Sequence, residues 1–146
     1  MIVLDTNVVS EPLRPEPDAK VLAWLDRQEP QSLFLTSVTL AEVLAGVEVM
    51  PAGRRKTTLR NALTKQVLPL FADRILSFDS AAAEHFARIL SSAASAGHTI
   101  GFPDCAIASM AAARGFMIAT RNVRDFRGTG VDLINPWDAS RRASTY

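Results

Sequence analysis

The chain has 146 residues, of which 48% are hydrophobic and 21% charged, with a formal net charge of +1. That length suits one domain with its own core, and the composition excludes a disordered chain. The near-neutral balance excludes strong overall steering toward nucleic acid, so a nucleic-acid substrate would need a local basic patch. A single cysteine, Cys105, leaves no intrachain disulfide and no Cys-rich zinc site. Residues 1–5 enter a strand-like run without the basic and long apolar regions of a signal peptide, so a cytoplasmic protein is expected. No apolar run approaches the ~20 residues of a transmembrane helix, and no membrane association is expected.

Ile2-Val3-Leu4 reads as a strand buried on both faces, ended by Asp5. Prolines 12, 15 and 17 forbid a long helix after it, and Asp18 can cap one running to about Gln28. Residues 32–36 read as a second strand. Thr39 then opens a helix to about Met50, with Thr39-x-x-Glu42 as its capping box. Residues 54–70 have the period of one amphipathic helix, basic on its outer face. Residues 75–78 suit a short strand, and Ser80 caps a helix to about Ala96 with Gly97 as its stop. Pro103 suits the first turn of a helix through Arg114 that Gly115 ends. Strands follow at 116–120 and 131–134, and a polar, frayed tail is expected over 139–146. Alternating strands and helices predict an α/β domain with a mostly parallel sheet and helices on both faces.

In such a sheet the carboxyl ends of the strands gather the chemistry. Asp5 ends the first strand, and Glu42 and Asp104 fall in the first turns of helices. Asp125 lies in the loop after the strand ending at Thr120. Carboxylates sharing a cleft repel one another, and a divalent cation resolves the conflict. Oxygen-only ligands favour Mg²⁺ or Mn²⁺ over zinc, and Mg²⁺ can bridge to a phosphate and an activated water. Each acid also has a plain structural reading. Asp5 could be a turn former, Glu42 a capping-box member and Asp104 a dipole-favoured acid. Asn122 and Asp125 could be loop residues. The set carries the metal reading. Arg121 and Arg124 flank the same loop and are candidate phosphate contacts, with Arg14 a weaker one. His85 and His98 have no nucleophile pattern around them, and Cys105 reads as a buried small residue.

These residues resemble a known family. Leu4-Asp5-Thr6-Asn7-Val8 with Ser10-Glu11 is similar to the opening motif of PIN-domain proteins. Glu42 in Thr39-Leu40-Ala41-Glu42 resembles the second acidic position, and residues 103–108 (PDCAIA) the third motif. Residues 119–126 (ATRNVRDF) resemble the fourth. Residues 5–12 (DTNVVSEP) and Asn135-Pro136-Trp137 are similar to the FitB-like branch of VapC toxins. The resemblance covers residues 1–138 as a PIN domain, a three-layer α/β/α fold with a mostly parallel central sheet, and leaves 139–146 as a tail. It implies a toxin of a type II toxin–antitoxin pair, an endoribonuclease using Mg²⁺ or Mn²⁺. Asp5, Glu42 and Asp104 would be metal ligands or their water-held supports, and Asp125 a further catalytic acid. Some members have an acid where Asn122 stands, so either Asn122 or Asp125 completes the site. Thr6, Asn7 and Thr120 would fix the carboxylates. The resemblance also implies a homodimer and a small VapB-like antitoxin covering the acidic site, with the antitoxin rather than this chain meeting operator DNA.

Other readings fit less well. A haloacid-dehalogenase-type phosphatase needs an Asp where Asn7 stands, and a receiver module needs an acceptor Asp that residues 32–39 lack. A PIN module that only binds RNA or a partner would be expected to lose acids that this chain keeps.

Overall fold

The computed structural model describes residues 1–138 and 144–145. Strand β1 (Ile2–Leu4) is the hub of the sheet and is buried throughout, as its unbroken apolar run predicts. Helix α1 (Thr6–Ser10), a 3-10 turn at Glu11–Leu13 and helix α2 (Ala19–Asp26) lead to β2 (Leu33–Thr36). Helix α3 (Ser37–Glu48) follows without a loop, then α4 (Arg54–Ala62) and β3 (Ile75–Leu76). Helices α5 (Ser80–Ser95) and α6 (Phe102–Arg114) precede β4 (Met117–Ala119). A 3-10 turn at Val123–Phe126 precedes β5 (Asp132–Ile134). The strand order is β3-β2-β1-β4-β5, with these four pairs parallel, and a short antiparallel strand, Ser144–Thr145, follows at the β5 edge. The expected α/β fold and mostly parallel sheet are what the chain forms.

Strand alternation divides the core in two. Ile2, Leu4, Leu33, Leu35 and Ala119 pack with Val8 and Val9 of α1 and with Val43 and Val47 of α3. Val3, Ile118 and Leu133 pack on the other side with Ile89 of α5 and the buried run Cys105–Ala111 of α6. Three of its seven residues are alanine, which lets α6 lie close to both sheet and α5. Gly115, at φ 68°, ends α6 in the left-handed conformation that glycine adopts without strain.

Several expectations shift. Helix α3 starts at Ser37, and Thr36, not Thr39, caps it. The Thr36 hydroxyl oxygen accepts the Thr39 N–H at 3.0 Å. β2 ends in extended backbone at Thr36, so the first residue able to cap is that one, and Glu42 moves into the second turn. Asp79 rather than Ser80 caps α5, its side chain accepting from the Ala82 N–H at 2.9 Å. The predicted helix over 54–70 is α-helical only to Ala62. It then unwinds through a π turn at Leu63–Val67 and a 3-10 turn at Leu68–Phe71, where Pro69 breaks the regular pattern. β3 spans two residues, not four. In the tail, residues 139–143 and 146 lie outside the described residues, whereas Ser144–Thr145 pairs antiparallel with β5 instead of fraying. Among the described residues, no helix is long and apolar enough to cross a membrane.

Thr36 is fully buried, and its hydroxyl also donates to the Thr39 hydroxyl at 3.0 Å. Thr36→Ala is expected to lower unfolding free energy by about 1–2 kcal/mol, read from the urea midpoint. An unchanged midpoint would show that the cap contributes nothing.

Candidate active site at the carboxyl ends of the central strands

From β1 the chain first builds outward through β2 to β3, then crosses back to lay β4 on the other flank of β1. The strand order therefore reverses between β1 and β4, the place where open α/β sheets leave a crevice. Leu4 pairs with Ala119, so Asp5 and Thr120 stand side by side one position further on. The Asp5 N–H continues the ladder to the Ala119 carbonyl at 2.9 Å.

Asp5 is only 5% exposed. Its Oδ1 accepts the Thr6 N–H at 2.8 Å, which also caps α1. Its Oδ2 accepts from the Thr120 hydroxyl at 2.7 Å and from Asn7 Nδ2 at 3.3 Å. Burial pushes the Asp5 carboxyl above its ordinary value, and Glu42 adds to the rise. The bonds from Thr120, Thr6 and Asn7 oppose it. Thr120 is buried too, and its oxygen accepts the Asn122 N–H at 3.0 Å. Asn7 Oδ1 accepts the Arg121 N–H at 3.2 Å, so one amide ties α1 to the loop after β4. Glu42 is exposed on α3, where its Oε1 accepts from the Thr6 hydroxyl at 2.8 Å.

Asp104 enters from the first turn of α6, which runs opposite to the strands and brings its start to the same edge. Its carboxyl is raised to about 6, first by burial and then by the charges of Asp5, Asp125 and Glu42. No hydrogen bond or ion pair to Asp104 is found among the described residues. The other three acids proposed from sequence thus all bear on Asp104. Asp125 sits on the 3-10 turn after β4, whereas Asn122 contributes its backbone N–H to Thr120. Arg121 and Arg124 are exposed on that loop, and neither forms an ion pair with the acids among the described residues. Arg14 pairs with Glu11 at 3.3 Å. Glu11 itself is buried and accepts the Asp18 N–H at 2.8 Å, so it holds the proline-rich loop. Cys105 is buried, its thiol 3.7 Å from the Phe86 carbonyl.

The donors suit a hard divalent cation, being carboxylate oxygens that form no ion pair with a Lys or Arg among the described residues. Among the described residues no three acids stand close enough to form a ready ligand set. Mg²⁺ keeps several waters and takes one or two carboxylates directly, so it needs no such set.

The PIN domain family model matches residues 2–131. The chain is 47% identical to VapC ribonuclease Y4jK of Sinorhizobium fredii, over 94% of its own length and 99% of the relative's. It is 46% identical to plasmid stability protein StbB of Pseudomonas syringae, over 95% of its length and 100% of the relative's. In the crystal structure of FitAcB from Neisseria gonorrhoeae, a 42% identical chain matches with a TM-score of 0.90, covering 94% of this chain and 99% of that one. FitAB has also been solved bound to a DNA fragment, IR36. The chain belongs to the PIN-domain family. Within it, these near-full-length relatives place it among the VapC ribonucleases, in the branch of toxin FitB.

The Asp104 carboxyl, at about 6 against an ordinary 3.8, keeps in the folded chain a proton that the unfolded chain releases. Metal-free stability therefore falls as pH rises from about 4 to about 6. Asp104→Asn is expected to melt with the wild type at pH 4 and roughly 2–4 °C above it at pH 7 in EDTA, by differential scanning fluorimetry. A variant that melts lower at pH 7 would show that the ionised carboxylate is stabilising instead.

Proposed function

We propose that this chain is an endoribonuclease toxin that hydrolyses RNA phosphodiester bonds with Mg²⁺, or Mn²⁺ in its place, held by Asp5 and Asp104. The observation that carries the reading is the Asp104 carboxylate, half-buried without a hydrogen bond among the described residues and facing three further acids. Bound there, the cation would supply Lewis acidity at a phosphoryl oxygen and a water of lowered pKa.

The protein's own part is positioning. Thr120, Asn7 and the Thr6 N–H hold Asp5 in one rotamer, so its remaining lone pair has a fixed aim. Thr6 holds Glu42 through Oε1. Oε2 is then the oxygen assigned to take the proton that the attacking water loses. Asp125, rather than Asn122, is the fourth acidic member, since its charge reaches Asp104. Arg121 and Arg124 are the assigned contacts to the RNA backbone, supplying the local positive charge that the net charge of +1 does not.

The same reading gives the chain a small VapB-like antitoxin that covers the acids, for which a guanidinium is the natural occupant. It also gives a cytoplasmic homodimer whose antitoxin, not this chain, meets operator DNA.

The purified chain is expected to cut RNA with Mg²⁺ or Mn²⁺ and to stop in EDTA. Asp5→Asn is expected to abolish cleavage while keeping the wild-type circular dichroism spectrum. Thr120→Val is expected to lower kcat/KM about 10–100-fold. Asp5→Asn cutting at the wild-type rate would refute the metal assignment. RNA binding without cleavage under any divalent cation would favour a binding module.

A further inference from the structure

The Arg121 guanidinium lies over the Trp137 indole, its Cζ 5.3 Å from the ring centroid. Both ends of this arginine are therefore held, since its backbone N–H donates to Asn7, the same side chain that reaches Asp5. Trp137 is set by its own turn. Its N–H donates to Asn135 Oδ1 at 3.0 Å, Pro136 before it is buried, and its ring packs half-buried on the α1 and α3 side of the core. Asn135-Pro136-Trp137 thus forms a fixed shelf beside the loop after β4.

An arginine next to several carboxylates ordinarily pairs with one of them. Arg121 directly follows Thr120, whose hydroxyl holds Asp5. Its guanidinium nevertheless takes the indole, and among the described residues no hydrogen bond or ion pair engages its N–H groups. Stacking occupies the face of a guanidinium and leaves its N–H edge open. That edge matches two oxygens of a phosphate. Arg121 is exposed, so the open edge meets solvent.

We propose that Trp137 is a positioning residue for RNA binding: it holds the Arg121 guanidinium off the carboxylates and presents its N–H edge to a backbone phosphate of the substrate. The inference rests on the RNA-hydrolysis reading above. It makes the shelf a device with two effects. The acids stay open to a cation, and the arginine stays ready for an anion, although the two charges would otherwise neutralise each other.

The test is a double-mutant cycle on KM for a fluorogenic single-stranded RNA in Mn²⁺, with Trp137→Phe, Trp137→Leu and Arg121→Ala alone and combined. Arg121→Ala is expected to raise KM about tenfold, and Trp137→Leu about fivefold with a smaller change in kcat. Trp137→Phe keeps an aromatic face and is expected to raise KM about twofold. In the Arg121→Ala background both Trp137 substitutions should have no further effect on KM. An unchanged KM in Trp137→Leu, or a full additional loss on top of Arg121→Ala, would reduce Trp137 to a packing residue and overturn the proposal. Should Trp137→Leu fail to fold by circular dichroism, the Trp137→Phe cycle decides by the same criterion. A wild-type chain that cuts no RNA sinks the parent reading and this one together. A wild-type chain that cuts RNA with no Arg121–Trp137 coupling sinks this one alone.

Discussion

Asp5 carries a carboxylate at the end of a strand whose other side chains are all core. Removing a carboxylate from water is costly unless its oxygens are satisfied. Here a backbone N–H and an amide from α1 and a hydroxyl from the residue after β4 supply that satisfaction. The bonds do more than offset desolvation. Thr6 N–H makes Asp5 the cap of α1, Thr120 ties it to β4, and Asn7 ties α1 to the loop after β4. The placement of the active-site edge follows from keeping this one charged group near the core.

Register makes the arrangement possible. A one-residue slip between β1 and β4 would turn Thr120 away from Asp5 and exchange the two halves of the core at once. The large apolar side chains of both layers resist such a slip, so the fold's packing energy also holds the site's geometry. Glu42 and Asp104 arrive on helices, one leaving β2 and one returning to β4, and share the edge because the sheet is parallel. At this edge burial, and then the charges of Asp5, Asp125 and Glu42, raise the carboxyl of Asp104.

Much of this was legible in the residues. The apolar run ending at Asp5, the Pro103-Asp104 helix start and the Gly115 stop each have a local cause, and each stands where local physics puts it. The misplaced caps show the limit. Thr36 and Thr39 are equally good capping residues, as are Asp79 and Ser80, and the choice depends on where the preceding backbone stays extended. Tertiary packing decides that. The choice between Asn122 and Asp125 was equally closed to sequence, since both sit in one loop; Asp125 lies on the turn Val123–Phe126, and its charge adds to the rise of Asp104. The contact of Arg121 with Trp137 spans two segments and leaves no periodic trace, so Asn135-Pro136-Trp137 read only as a family ending.

Under the proposed reading the chain is a scaffold for a pre-aimed carboxylate and a group of acids that would hold a divalent ion. Direct Mn²⁺ binding at neutral pH, measured by isothermal titration calorimetry on wild type and Asp5→Asn, tests that most directly. The account predicts saturable binding by the wild type, weakened at least about tenfold in Asp5→Asn. Equal Mn²⁺ affinity in the two proteins would contradict it.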